Sequence, residues 1–389
     1  MKKKLKKIAV VTATRAEYGL LIPLITRINE DNELKLDLIV TGMHLSKKYG
    51  YTADAIRDAK FPVSCEIPIL EDGNTPFDIS LTMANAVKGF AQRFREDRPD
   101  MVVILGDRTE MLGVAFAAMN ERIPIAHIYG GEVTAGAVDD SVRHAITKMS
   151  YLHFTSAKAY RHRVIQLGEE PERVFNVGAL GVENILTQNL LGGKEIRNQM
   201  GIPDGMEFAV VTFHPETLEE CSTSKQVEEL MGAMEDFDNI FFLITAANAD
   251  SGGEEVNRLL QEFSRIHENS RFVYNLGMKR YLSAVKNASF VLGNSSSGIL
   301  EAPVLGTPTV NVGDRQKGRL MAETIVNCET EREKIIESIR QARFMERIST
   351  DIYGNGTASI QIVDVMKEYL MKGRIDLKKG FYDIGVRLP

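Results

Sequence analysis

No apolar run in this chain reaches membrane-spanning length, so it is not read as a membrane protein. Its three cysteines, Cys65, Cys221 and Cys328, stand far apart. They offer neither a disulfide framework nor paired metal spacing, and a reducing cytoplasm is the expected setting. The seven histidines form no HExxH or similar ligand pattern, so no metal is expected. After the first apolar run the chain reads TATRAEYG where a dinucleotide fold would carry G-x-G-x-x-G, which argues against a nicotinamide cofactor. An excess of positive charge is also missing: 47 Lys and Arg against 53 Asp and Glu leave a net charge of -6. Nothing there calls for nucleic acid. Short internal repeats and low-complexity segments are absent.

The opening MKKKLKKIAVVTATRAE imitates a signal peptide, but Ile8–Ala13 is short and Arg15 and Glu17 interrupt it at once. It reads as a solvated start and a buried first strand. At roughly 100–200 residues per domain, a chain of 389 residues predicts two. Apolar runs alternate with helical periodicity throughout. The runs Lys7–Thr12, Leu36–Thr41, Val63–Ile67, Met101–Leu105, Ile123–Ile128, Tyr151–Thr155 and Arg173–Val177 predict strands of a first parallel sheet. Glu207–Thr212, Ile240–Ala246, Arg271–Tyr274, Phe290–Gly293 and Thr309–Val312 predict a second. The Asn-, Gln- and Gly-rich stretch Gln188–Gly205 reads as the boundary region. The expected division is 1–185, 186–356, and a terminal helix and tail, 357–389, packing back on the first domain.

Ligands of open α/β sheets sit beyond the carboxyl ends of the strands. The run Met101–Leu105 empties into Gly106, Asp107 and Arg108, and Ile123–Ile128 into Gly130, Gly131 and Glu132, with Asp139 and Asp140 beyond. Asp107, Arg108, Glu132, Asp139 and Asp140 are therefore expected around one sugar-sized space, where several carboxylates suit proton transfer. The plainer alternative makes Asp139 or Asp140 the cap of the helix running to Ser150. In that helix Asp139 and Arg143, and Asp140 and His144, stand four apart and predict ion pairs along one face. Ala13–Gly19 reads as a loop before a helix from Leu20, with Arg15 at the strand tip where phosphate binds well. An ordinary surface arginine is the competing reading. Gly42–Tyr51 reads as a polar loop carrying His44, Ser46 and Lys47.

In the second half, Gly293-Asn294-Ser295-Ser296-Ser297-Gly298 precedes a helix predicted over Ile299–Leu305. Free N–H groups at such a start form an anion cradle, and Glu301 in the first turn or so of that helix suits ribose hydroxyls. A serine-capped helix with no ligand is the alternative. The next strand ends in Gly313, Asp314 and Arg315, again where a phosphate would sit. Two α/β halves with polar strand ends predict two Rossmann-like domains facing across a cleft. Carboxylates lie on the first half and diphosphate and ribose features on the second, as a nucleotide-sugar enzyme requires.

The set TRAEYG, GDR, HIYGGE, DDSVRHAITK, FHPE, GNSSSG and GDRQKGR resembles the hydrolysing UDP-N-acetylglucosamine 2-epimerases of sialic-acid biosynthesis, and their legionaminic-acid relatives acting on UDP-N,N'-diacetylbacillosamine. The resemblance runs from the first strand to about Gly356. It implies the glycosyltransferase-B architecture, anti elimination of UDP to a 2-acetamidoglucal, and syn hydration to N-acetylmannosamine. It implies Asp107, Glu132, Asp139 or Asp140, and His214 as catalytic groups. Arg15, Arg108, His214, Asn248, Ser295, Ser296, Glu301 and Arg315 are implied as nucleotide-sugar contacts. Non-hydrolysing relatives carry proline and glutamate where this chain has Ala16 and Tyr129. A homodimer or homotetramer with no cofactor is the family expectation. The same reaction on the diacetylbacillosamine nucleotide, a glycosyltransferase, and a non-turnover sensor are the rival readings.

Overall fold

The computed structural model describes residues 5–58, 61–73, 75–133, 139–215, 222–247 and 252–385. The chain divides into two compact units, one of residues 1–186 with 353–389, the other of residues 187–352.

In the first unit strands and helices alternate as β1 (Lys6–Thr12), α1 (Arg15–Glu30), β2 (Leu34–Thr41), α2 (Ala53–Asp58), β3 (Val63–Ile67), α3 (Pro76–Glu96), β4 (Met101–Leu105), α4 (Thr109–Asn120), β5 (Ile125–Ile128), α5 (Asp139–Met149), β6 (Leu152–Thr155), α6 (Lys158–Gln166), β7 (Val174–Asn176) and α7 (Leu180–Thr187). The seven strands are parallel, in the order β3-β2-β1-β4-β5-β6-β7. Successive side chains leave opposite faces of a strand, so a run apolar at every position needs cover on both sides. Ile8, Val10, Met101 and Val103 pack on one face beneath α1. Ala9, Val11, Val102 and Ile104 pack on the other, against Phe90 and Phe94 of α3 and Val114 of α4.

The second unit runs α8 (Gly193–Met200), β8 (Glu207–Thr212), α9 (Thr223–Glu235), β9 (Ile240–Thr245), α10 (Gly253–Ile266), β10 (Ser270–Val273), α11 (Gly277–Asn287), β11 (Phe290–Gly293), α12 (Ser296–Val304), β12 (Thr309–Val312), β13 (Ile325–Cys328) and α13 (Arg332–Arg343). Its six parallel strands follow the order β10-β9-β8-β11-β12-β13. Cores again fill both faces. Helix α14 (Ala358–Met371) then returns the chain to the first unit, where Ile362 and Met366 join the core beside Leu21 and Ile25 of α1.

Several local expectations are corrected. Helix α1 begins at Arg15, not Leu20, because Thr14 and Glu17 form a capping box. Helix α12 begins at Ser296, not Ile299, because Ser295 caps it. The boundary stretch contains α8, and β13 adds a strand that its mixed residues Ile325, Val326, Asn327 and Cys328 concealed. The loop after β2 makes two short 3-10 turns, Gly42–Leu45 and Lys47–Tyr49. The tail is anchored on the first unit. Lys379 Nζ reaches Glu169 at 2.6 Å and the Ser150 carbonyl at 2.7 Å, and the Tyr382 N–H donates to the Gly168 carbonyl at 2.9 Å.

Candidate functional site

In each unit the strand order reverses once, between β1 and β4 and between β8 and β11. At such a switch point the following connections leave toward opposite faces and open a crevice above the strand ends. The residues after β1 and β4, and after β8 and β11, are the ones this topology brings together.

Above β1 and β4 lie two buried acids and an arginine. Glu17 Oε2 accepts the N–H groups of Ala13 and Thr14, each at 3.0 Å. Burial pushes its carboxyl up to about 7, against the opposing charge of Arg108. Arg108 Nε donates to buried Glu110 at 2.5 Å. Arg15 is the exposed first residue of α1.

Asp107 and Asp140 meet at Arg143. The buried guanidinium of Arg143 donates to both carboxylates and, at 2.6 Å, to the Glu132 carbonyl. This corrects the expected pairing along α5: Arg143 takes Asp140, three residues earlier, with Asp107 from beyond β4. Asp139 and Asp140 both lie in the first turn of α5 rather than capping it. Burial, then the charge of Asp107, raises the carboxyl of Asp139 above its ordinary value. The Glu132 carboxylate accepts from buried Ser156 at 2.5 Å. Asp107, Arg108 and Asp139 border a cavity of about 710 Å³, whose wall also includes Met43, Leu45 and Ile69.

Two histidines here are structural. His127 sits between the Gly106 carbonyl, 2.8 Å away, and Thr147 Oγ1, 3.1 Å away, which steadies the turn carrying Asp107. Burial lowers it to about 3. His44 lies buried between Thr12 and Thr52, and burial lowers it to about 4.

In the second unit Thr212 is in register with Gly293. A Cβ on Gly293 would stand 2.1 Å from the Thr212 carbonyl oxygen, and φ is +129°, so only glycine fits. Buried Asn294 follows and bonds both main-chain polar groups of His214. Its own carbonyl accepts from Arg315 at 3.2 Å and Gln316 at 2.8 Å. Ser295 caps α12 and Ser296 is its first residue, leaving N–H groups for an anion. Glu301 lies in the second turn, accepts from Ser297 and is raised by burial. Asn248 lies outside the described residues.

The expected groups thus form two sets: Asp107, Asp139 and Asp140 around Arg143 with Arg108 and Glu132 beside them, and His214, Ser295, Ser296 and Arg315 around Asn294. Sequence reading did not single out Glu17, Arg143, Asn294 or Ser156 as site residues. The T-x-x-E spacing was the one signal for Glu17. Arg143 was read only as an ion-pair partner on its own helix and Asn294 only as part of the Gly293–Gly298 cradle; their partners Asp107 and His214, like the Glu132 partner of Ser156, are distant in the chain.

A chain of two doubly wound units, one with clustered carboxylates and one with an anion cradle, has the makings of a nucleotide-sugar enzyme. The profile described as UDP-N-acetylglucosamine 2-epimerase matches residues 26–367. A Campylobacter jejuni protein named GDP/UDP-N,N'-diacetylbacillosamine 2-epimerase (hydrolyzing) is 42% identical over 325 residues, 83% of this chain and 84% of its own. Polysialic acid biosynthesis protein P7 of Escherichia coli is 38% identical over 386 residues, 98% of either chain. Among solved structures, UDP-GlcNAc 2-epimerase from Neisseria meningitidis bound to UDP-GlcNAc has a TM-score of 0.76 at 18% identity, covering 93% of this chain and 100% of that one. The chain belongs to the UDP-N-acetylglucosamine 2-epimerase family, on its hydrolysing branch, and has that family's glycosyltransferase-B-like fold of two Rossmann-like units. No helix among the described residues is long and apolar enough to cross a membrane.

Proposed function

We propose that this UDP-sugar 2-epimerase hydrolyses UDP-N,N'-diacetylbacillosamine to 2,4-diacetamido-2,4,6-trideoxymannose and UDP. The observation that carries the chemistry is the Asp107–Arg143–Asp140 cluster beside Asp139, several carboxylates at one switch point. The substrate is supported by the printed name of the 42% identical relative. It is also supported by the apolar residues Met43, Leu45 and Ile69 around the cavity, which suit a methyl and a second acetamido group better than two hydroxyls. UDP-N-acetylglucosamine, giving N-acetylmannosamine, is the second reading, favoured by the description of the matched profile.

A carboxylate takes the hydrogen from sugar carbon 2, and the carbon 1–oxygen bond breaks with its electron pair leaving on UDP. Water then adds across the resulting double bond, oxygen to carbon 1 and hydrogen to carbon 2 from the opposite face. Asp107, Glu132, Asp139 and Asp140 move the protons. Arg15, Arg108, Asn248, Glu301 and Arg315 hold the nucleotide sugar, and His214, Ser295 and Ser296 face the departing diphosphate.

NMR of the purified protein with each UDP-sugar in deuterated water tests the reading. UDP release without an acceptor and deuterium at carbon 2 are expected with the diacetylbacillosamine nucleotide. Turnover of UDP-N-acetylglucosamine alone overturns the substrate. Release only when an acceptor is added overturns the hydrolysis and revives the glycosyltransferase. Asp107→Asn and Glu132→Gln should each slow release by about 100-fold or more.

A further inference from the structure

We propose that Arg143 is a positioning residue that sorts the carboxylates of the first unit, binding Asp107 and Asp140, with Asp107 the proton acceptor, and leaving Asp139 as the proton donor. This rests on the 2-epimerase reading and deepens it. Arg143 is almost wholly buried, and its guanidinium bonds two carboxylates from different elements. A bonded carboxylate shares its lone pairs with N–H donors and keeps its charge. Two arginines face these three carboxylates, but Arg143 gives its bonds to Asp107 and Asp140, so a proton belongs on the carboxylate outside the pairs. Asp139 is that group: among the described residues its carboxylate makes no ion pair or hydrogen bond. The charges facing it are Asp107 and Arg108 from the turn beyond β4, with Arg143 and Asp140 on its own helix. Burial and the charge of Asp107 act in the same direction, toward a protonated Asp139. Asp139 also borders the cavity, where Asp140 does not.

The proton balance closes. An Arg143-held carboxylate accepts the hydrogen of carbon 2 as UDP leaves with the electron pair of the broken bond. Asp139 gives its proton to carbon 2 of the glucal from the other face while water bonds carbon 1. The surplus proton of that water returns to Asp139, and the first proton passes from the accepting carboxylate to solvent. The sum is UDP-sugar and water to free sugar, UDP and one proton.

The test uses the full-length chain and whichever of the two UDP-sugars it turns over. Arg143→Gln should lower kcat by about 100-fold with KM within about 3-fold, and should move the acid limb of the kcat–pH profile; Arg143→Lys should recover part of the loss. In Arg143→Ala, added guanidinium should restore activity by about 10-fold, which a loss of fold would not allow. Unchanged kcat in folded Arg143→Gln, or a loss confined to KM, overturns the proposal. Carbon-13 NMR of the aspartate carboxyls in the ligand-free protein supplies a readout free of turnover. Asp139 should titrate above the ordinary aspartate range, and its titration should move in Arg143→Lys if the chain tolerates no larger change. An Asp139 that titrates in the ordinary range in the native protein sinks the sorting even if the 2-epimerase reading stands. Absence of UDP release from either sugar in the native protein sinks that reading instead, and with it the proton cycle.

Discussion

Asn294 holds both main-chain polar groups of His214: its Oδ1 accepts the N–H at 2.7 Å and its Nδ2 donates to the carbonyl at 2.8 Å. The residues are joined by the register of β8 on β11, while the Asn294 carbonyl is bonded by Arg315 and Gln316. His214 and Arg315, both expected at a diphosphate, are thus tied to one buried residue. Asn294→Asp keeps the acceptor, loses the donor and sets a carboxylate oxygen against the His214 carbonyl. It should destabilise the second unit by about 1–3 kcal/mol and weaken UDP binding by about 10-fold. Urea unfolding and UDP titration calorimetry check both. A stability loss with unaltered UDP affinity makes the clamp purely structural.

Gly293→Ala should be far more severe. Its Cβ would enter the Thr212 carbonyl oxygen, a main-chain atom with no freedom to swing aside. Together with its left-handed φ this predicts a loss of more than about 3 kcal/mol, read as disappearance of the second unit's transition in calorimetry. Native-like melting would refute the close contact.

Glu17 makes stability depend on pH. Its folded-state carboxyl is raised from 4.5 to about 7, so the folded chain binds the proton more tightly than the unfolded one. That contribution is complete below the ordinary value and is lost as pH rises toward about 7, amounting to about 3 kcal/mol in all. Glu17→Gln retains an oxygen for the Ala13 and Thr14 N–H groups and removes the titration. Denaturation between pH 5 and pH 8 should show a flatter dependence in the variant. An equal slope in both proteins excludes Glu17 as its source.

The Glu169 cluster predicts the opposite sign. Burial would raise this carboxyl, but bonds from His153, Lys148 and Lys379 at 3.0, 2.7 and 2.6 Å hold it at about 2. Its contribution is present above the ordinary value and is lost as pH falls toward 2. Glu169→Gln leaves two lysines at a site with no charge to meet them. It should cost about 3–5 kcal/mol, lower the melting temperature of the first unit and free the tail held by Lys379. Limited proteolysis near Lys378 and Lys379 reports that release. A tail as resistant as in the parent chain counts against the anchor.

Strands were the most legible feature. Met101–Leu105, Glu207–Thr212 and Phe290–Gly293 occur where apolar runs predict them, because an inner strand covered on both faces buries successive side chains. Helix starts were less legible. In α1 and α12 the caps precede the apolar periodicity, and Arg15 and Ser296 were read as loop. The polar turns after β4, β5 and β11 marked where to look for a site, since parallel strands present their carboxyl ends together.

The amino-acid sequence by itself determined the alternation of strand and helix, the chemistry at the strand ends and the motifs that place the chain in its family. These follow from side-chain period, capping and residue type, all local properties. Tertiary structure alone decided that Arg143 takes Asp107, 36 residues away, along with Asp140, that Asn294 grips His214, 80 residues away, and that Glu17 titrates near neutrality. Charge pairing and desolvation depend on separation in space and on the water excluded around each group, and neither is defined until the strands have taken their order.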